Sequence, residues 1–154
     1  MPNFNPMSYH NGSIWPHDNS LIAAGLSAYG HHDLANKIST ALLDASASVP
    51  LARLPELYCG FARVGALGDA PVPYPVSCSP QAWASAAAPL LIRAMLGLEL
   101  DPNRRCLTSK PNFPAWLSAI SLSGMEVMGT FCGLNLRRAD SGYVLETDGP
   151  IEVR

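Results

Sequence analysis

Residues 18–29, "DNSLIAAGLSAY", carry apolar side chains on nearly every face beyond the first turn, interrupted only by Ser20 and Ser27. That pattern predicts a helix closed by Gly30 in a left-handed conformation. A helix apolar all round predicts burial all round. Residues 33–48 read differently. Leu34, Ile38, Ala41, Leu42 and Ala45 recur at helical spacing, while Asn36, Lys37, Thr40 and Asp44 fall on other faces. The second helix, capped by Asp33, therefore keeps one side in water. The short link Gly30-His31-His32 makes the two an antiparallel hairpin.

Residues 49–78 break the periodicity with Pro and Gly and form a long connection. Loops of that length in compact domains tend to be functional or disordered. The apolar cluster Tyr58, Phe61, Val72, Tyr74 and Val76 argues for an ordered one. Ser79-Pro80 predicts the start of a third helix over 80–98, again apolar nearly all round, with a kink at Pro89. Past residue 102 the period drops to two. Ile120 and Leu122 alternate with Ser121 and Ser123, and Leu134 and Leu136 with Asn135 and Arg137. "ADSG" reads as a turn, and "YVLET" and "IEVR" flank "DGP", so the tail predicts a short antiparallel β meander. The predicted organisation is a mainly α segment over 1–102 and a linker with a β-strand tail over 103–154.

Three helices cannot hide two all-apolar cylinders from water. The alternation of enclosed, half-wet and enclosed helices is that of concentric helical barrels, whose inner helices start at one end. The pattern thus predicts part of an α/α barrel, with the polar-aromatic stretches 9–19 and 53–83 meeting at one mouth. It also predicts that further barrel segments, or a second copy of the chain in a homo-oligomer, cover the apolar helix faces.

Composition narrows the classes. Of 154 residues, 48% are apolar and 14% charged, which argues for a globular chain over a disordered one. The net charge of −2 and the lack of any basic cluster larger than Arg104-Arg105 or Arg137-Arg138 leave no field for nucleic-acid phosphates. The charge-free stretch around residues 80–92 contains Pro89 and stops at Arg93, shorter and less apolar than a membrane span. Cys59, Cys78, Cys106 and Cys132 lack metal-finger spacing, and no secretory segment opens the chain. Reduced cysteines, a cytoplasmic location, and no metal or cofactor are the expectations. A serine nucleophile has no G-x-S-x-G elbow to sit on.

"YHNGSIWPHDNSLIAAGLSAYG", "RLPELYCGF" and "PVPYPVSCSPQAWASAAAPLLIRAMLGL" resemble the C-terminal part of bacterial amylo-α-1,6-glucosidase (glycogen-debranching-enzyme-like) proteins. The three motifs occur in that family's order and spacing, and the tail from about Pro114 is similar to the family's end. The resemblance covers most of this chain but only about the last quarter of a family member. It implies a six-hairpin α/α barrel and an inverting glycoside hydrolase acting on α-linked glucosyl or related sugars. Inversion uses a carboxylic acid and a carboxylate roughly 6.5–9.5 Å apart, with water between. Glu56 of "LPEL" matches the general-base position, while the family's general acid lies in an upstream segment. The isolated chain is therefore expected to be inactive.

A base must stay ionised, so Arg53 or nearby backbone N–H groups are expected to hold the charge of Glu56. Trp15 offers a face for a pyranose ring, and Tyr9, His10, Asn11 and His17 offer hydroxyl-binding groups. Asp18 either favours the positive end of the first helix or binds sugar hydroxyls. Gln81 and Trp83 open the third helix at the same mouth. The alternative from another class is a non-catalytic carbohydrate-binding or oligomerising module.

Overall fold

The computed structural model describes residues 3–63, 70–149 and 152–153. Residues 64–69 of the predicted long connection, and Pro150, Ile151 and Arg154 of the predicted last turn and strand, lie outside the described residues. The chain divides into two compact units, Met1–Ala94 and Met95–Arg154.

The first unit opens with an irregular segment and continues into helix α1 (Pro16–Ala28), helix α2 (His32–Ala47) and a 3₁₀ turn at Pro50–Ala52. Pro16 occupies the first helical position of α1, where its missing N–H costs no bond, so the helix starts two residues ahead of Asp18. Tyr29 closes it and Gly30 follows with φ +82. His31, not Asp33, precedes α2; Asp33 sits in the first turn, where a carboxylate still meets the positive end of the helix.

The buried stripes are narrower than the sequence predicts. α1 buries Pro16, Ser20 and Ala23, at i, i+4 and i+7, while Leu21 and Ile22 are 63% and 53% exposed. Burial on all sides is thus corrected to burial on one. In α2 the stripe is Ala35, Ser39, Leu42 and Ala45, one position round from the predicted one, and Leu34 is exposed. Ser39 can lie inside because its hydroxyl donates to the Ala35 carbonyl at 2.8 Å, which satisfies the buried group.

The third helix is also shorter than predicted. A 3₁₀ turn at Trp83–Ala86 leads into α3 (Ala87–Leu96). The backbone N–H of Cys78 donates to Glu56 and that of Gln81 to the Leu54 carbonyl, so residues 78–82 are drawn sideways to the preceding loop instead of into a helix. Pro89 falls in the first turn of α3, where no intrahelical bond is lost, and the predicted interior kink becomes the junction between 3₁₀ and α geometry. Leu54, Tyr58, Ala45, Ala84 and Ala87 form the core of this unit.

From residue 98 the chain is strand. β1 (Leu98–Asp101) pairs antiparallel with β2 (Cys106–Ser109), and β6 (Glu152–Val153) adds to β2 in parallel. The predicted helix end at 98 and linker from 103 are corrected by this hairpin. Its turn is set by Asp101, whose Oδ1 accepts from the N–H groups of Asn103 and Arg104. β3 (Ala119–Val127), β4 (Thr130–Ala139) and β5 (Gly142–Asp148) form an antiparallel meander, with a register shift between Leu122 and Met125. Leu107 and Val153 of one sheet pack with Met125, Val127 and Cys132 of the other.

The fold is therefore mixed α and β, not mainly α and not part of a helical barrel: three α-helices accompany two three-stranded sheets among the described residues. The barrel was predicted from two helices enclosed on all sides, and α1 is not so enclosed. No helix among the described residues is long and apolar enough to cross a membrane.

Candidate functional site

The first unit buries an irregular segment, residues 54–59, completely. Buried backbone must find partners, and without a helix they come from distant loops. Tyr58 exchanges two hydrogen bonds of 2.9 Å with Ile14, Cys59 N–H donates to the Val72 carbonyl, and Glu56 N–H donates to the Cys78 carbonyl. The Gly60 N–H donates to the Pro6 carbonyl at 2.8 Å. The segment thus lies between the N-terminal loop on one side and residues 72–81 on the other. A glycine is required at 60, since a Cβ there would collide with the carbonyl oxygen of Gly12.

Glu56 is held within this frame, 8% exposed. The Tyr9 hydroxyl donates to its Oε1 at 2.6 Å across 47 residues of sequence, and the Cys78 backbone N–H donates to its Oε2 at 3.2 Å. Of the two groups expected to stabilise the charge, Arg53 is exposed and a backbone N–H, that of Cys78, bonds the carboxylate; the Tyr9 phenol, which was not expected in this role, contributes most. The Tyr9 hydrogen bond, then the Cys78 N–H, hold the Glu56 carboxyl below the usual carboxylate range, against the opposing effect of burial, with His17 contributing favourably. The same bond is the main cause that pushes the Tyr9 hydroxyl up to about 12, with burial adding to it. At neutral pH the pair is a phenol donating to an ionised carboxylate. Glu56 can accept a proton and is not placed to supply one.

Aromatic rings pack around Tyr9. The Tyr9 ring meets the edges or faces of His10, Trp15 and Tyr74 at centroid distances of 4.8, 4.7 and 5.9 Å. His10 stacks parallel to Trp15, and Trp15 meets His17 edge-on. His17 stacks on Trp83 at 4.5 Å, and Trp83 is 54% exposed. The indole N–H of Trp15 is engaged by Ser13 Oγ and the Tyr9 carbonyl, which fixes the ring and leaves its π faces as its contact surfaces. Nδ1 of His17 is buried without a hydrogen-bond partner among the described residues.

Of the predicted site residues, Tyr9, His10, Trp15, His17, Glu56 and Trp83 come together. Asp18 stands at the edge of the group, its carboxylate exposed and 3.6 Å from His17 Nε2. Asn11 and Gln81 have no ring or hydrogen-bond contact with the group among the described residues. Asn11 is exposed and its backbone N–H is bound by Ser8, while the Gln81 side-chain carbonyl turns back to the Ala82 N–H. Sequence reasoning missed Ser13, Cys78 and the contact role of Tyr74. Tyr74 had a signal, an aromatic inside a proline-rich loop, but the contribution of Cys78, its backbone N–H first and its thiol after, rests on long-range pairing that no local pattern marks.

Among the described residues, no three His, Cys, Asp or Glu side chains cluster as metal ligands. No protein-family model matches the chain, and no curated protein matches it.

Proposed function

We propose that this chain carries the water-activating carboxylate of an inverting glycoside hydrolase acting on α-linked glucosyl or related sugars, with Glu56 as the general base. The observation behind the reading is one buried carboxylate, bound by the Tyr9 hydroxyl and the Cys78 N–H, whose tyrosine partner belongs to a cluster of aromatic rings. Sugars present apolar C–H faces that stack on aromatic rings and hydroxyls that need polar partners. The exposed face of Trp83 suits the first, and Glu56, His10 and His17 suit the second. Inversion also needs a protonated carboxyl group a water's width away, and Glu56 is unsuited to that role. On this reading the chain alone holds sugar and water without protonating the leaving oxygen, so binding is the property to measure first. Four unpaired cysteines suit the reducing cytoplasm, where we place it.

Titration calorimetry with maltose-type sugars and with iminosugars tests the reading. Binding that Trp83→Ala abolishes supports it; no heat at millimolar ligand rejects it. In the complete enzyme, Glu56→Gln should lower turnover by about 10²–10⁴-fold while leaving substrate affinity largely intact. Wild-type turnover in that variant would reject the base assignment and favour a non-catalytic carbohydrate-binding module.

A second reading has its own support. Leu21, Ile22, Tyr29 and Leu34 expose apolar surface along the helical hairpin, as a surface meant for a partner does. Light scattering separates the two: a concentration-dependent oligomer lost in Ile22→Asp favours association through that face, and a monomer at all concentrations rejects it.

A further inference from the structure

We propose that Tyr9 is a positioning residue for Glu56, fixing the carboxylate's orientation and protonation state and not acting only as a reader of sugar hydroxyls. The inference rests on the carbohydrate reading for its role in a reaction, but the pairing itself is tested without it.

A carboxylate has two oxygens with two lone pairs each. Here Tyr9 takes one lone pair of Oε1 and the Cys78 N–H one of Oε2. The Cys78 thiol adds a weaker hydrogen bond, and the remaining lone-pair capacity is left for water or ligand. The two donors come from opposite sides of the buried segment, one from the N-terminal loop and one from the loop before α3. Together they prevent rotation of the carboxyl group about its terminal torsion, which is otherwise broad and soft. The phenolic proton is committed to Glu56, so Tyr9 can meet a ligand only as an acceptor.

The position of Tyr9 is built as carefully as the bond it makes. Its ring packs on His10, Trp15 and Tyr74, and its backbone carbonyl accepts from the Trp15 indole and the Ser13 hydroxyl. These contacts use the ring and the main chain and leave the hydroxyl for Glu56. Removing the hydroxyl alone therefore tests positioning without removing packing. The titratable groups facing Glu56 are Tyr9 from the N-terminal loop, His17 from α1 and Cys78 from the loop before α3; Tyr74 stands against Tyr9. Asp18 approaches His17 and not Glu56.

The experiment follows the Glu56 side-chain carboxyl by carbon NMR across an acid titration of the full chain, in the wild type, in Tyr9→Phe, and with 3-fluorotyrosine placed at position 9. Fluorination makes the phenol more acidic and a stronger donor. The expected result is a graded series: the Glu56 midpoint moves up, toward the ordinary carboxylate value, in Tyr9→Phe and down with fluorotyrosine. Should Tyr9→Phe fail to fold, the fluorotyrosine chain still reports the direction. An unmoved midpoint in the fluorotyrosine chain overturns the proposal. Maltose calorimetry over the same pH range separates this from the functional reading. An acid-side loss of maltose binding that tracks the shifted Glu56 midpoint from chain to chain supports the role in a carbohydrate site. A shifted midpoint with no maltose heat in any chain ends the carbohydrate reading while the pairing stands. Maltose heat with an unmoved midpoint ends the pairing and leaves that reading intact.

Discussion

Two stretches of the first unit invert the usual relation between regularity and burial. Helix α1 is regular, apolar on almost every face, and buries one thin stripe. Residues 54–59 have no regular structure and are buried throughout. The helix satisfies its own backbone and can stand at a surface whatever its side chains. The irregular segment cannot, and its N–H and carbonyl groups draw in Ile14, Val72, Cys78 and Gln81 from loops distant in sequence. Those cross-links are what bring a tyrosine from one loop and an amide from another onto a single carboxylate. In this molecule the candidate site lies where the backbone needed outside partners, not where the hydropathy is highest.

The contrast breaks most clearly at Leu57, fully buried in the irregular segment. Leu57→Ala should destabilise the protein by about 3 kcal/mol through lost burial and the cavity left behind. A urea titration followed by tryptophan fluorescence measures it, and a cost below that of an exposed leucine would refute the segment's enclosure. Gly60→Ala should follow at about 2 kcal/mol, because the new methyl group meets the Gly12 carbonyl, and backbone yields less readily than a side chain. The same variant should loosen the Tyr9–Glu56 pair, read as an upward shift of the Glu56 midpoint.

Acid and alkali sharpen the comparison next. The folded-state pKa of Glu56 is lowered, so the unfolded chain takes up the proton first as pH falls. Its stabilising contribution is complete above the ordinary carboxylate value and is lost as pH drops from there through the folded pKa. The folded-state pKa of Tyr9 is raised to about 12 from 10.0, so its contribution is complete below the lower figure and is lost between the two. Unfolding midpoints measured from neutral to acid pH should fall more steeply in the wild type than in Glu56→Gln. The phenolate absorption band should show Tyr9, and Tyr58 whose hydroxyl is pushed up by burial, lagging the main titration; in Tyr9→Phe only the Tyr58 lag should remain. Equal acid slopes in wild type and Glu56→Gln would remove the claim that the carboxylate is held ionised by the fold.

Local signals were legible in the chain before the structure. Gly30 marks the end of α1, alternation marks β3 and β4, and the crowding of Tyr9, Trp15 and His17 marks the site. Each depends on neighbours within a few residues. What was not legible depends on pairing at long range or on a group satisfied internally. Ser39 is polar in a hydropathy reading, yet its bond to Ala35 makes it a buried residue and turns the α2 stripe by one position. Arg53 is the nearest cation to Glu56 in sequence, yet Tyr9 reaches it first. β1 and β2 are four residues each, too short for alternation to separate them from a helix end. The mainly α barrel failed for a related reason: apolar composition on all faces of α1 states what could be buried, not what is.

The smallest expected effect lies on α1 and bears most directly on that last point. Gly25 is helical and exposed, and a Cβ added there would have nothing within 4 Å. Glycine in a helix interior is less favourable than alanine by about 0.5–1 kcal/mol, so Gly25→Ala should stabilise the protein by that amount. Leu21→Gln, on a side chain mostly in water, should change stability by less than about 0.5 kcal/mol. Both hold if the outer face of α1 is free in solution. Suppose instead that Gly25→Ala costs stability, and that the loss grows with protein concentration. A second copy then covers the face, because a methyl group can only be unwelcome where other atoms already sit. Under that outcome the difference between the helix and the buried segment would be one of timing, the segment being covered on folding and the helix on association.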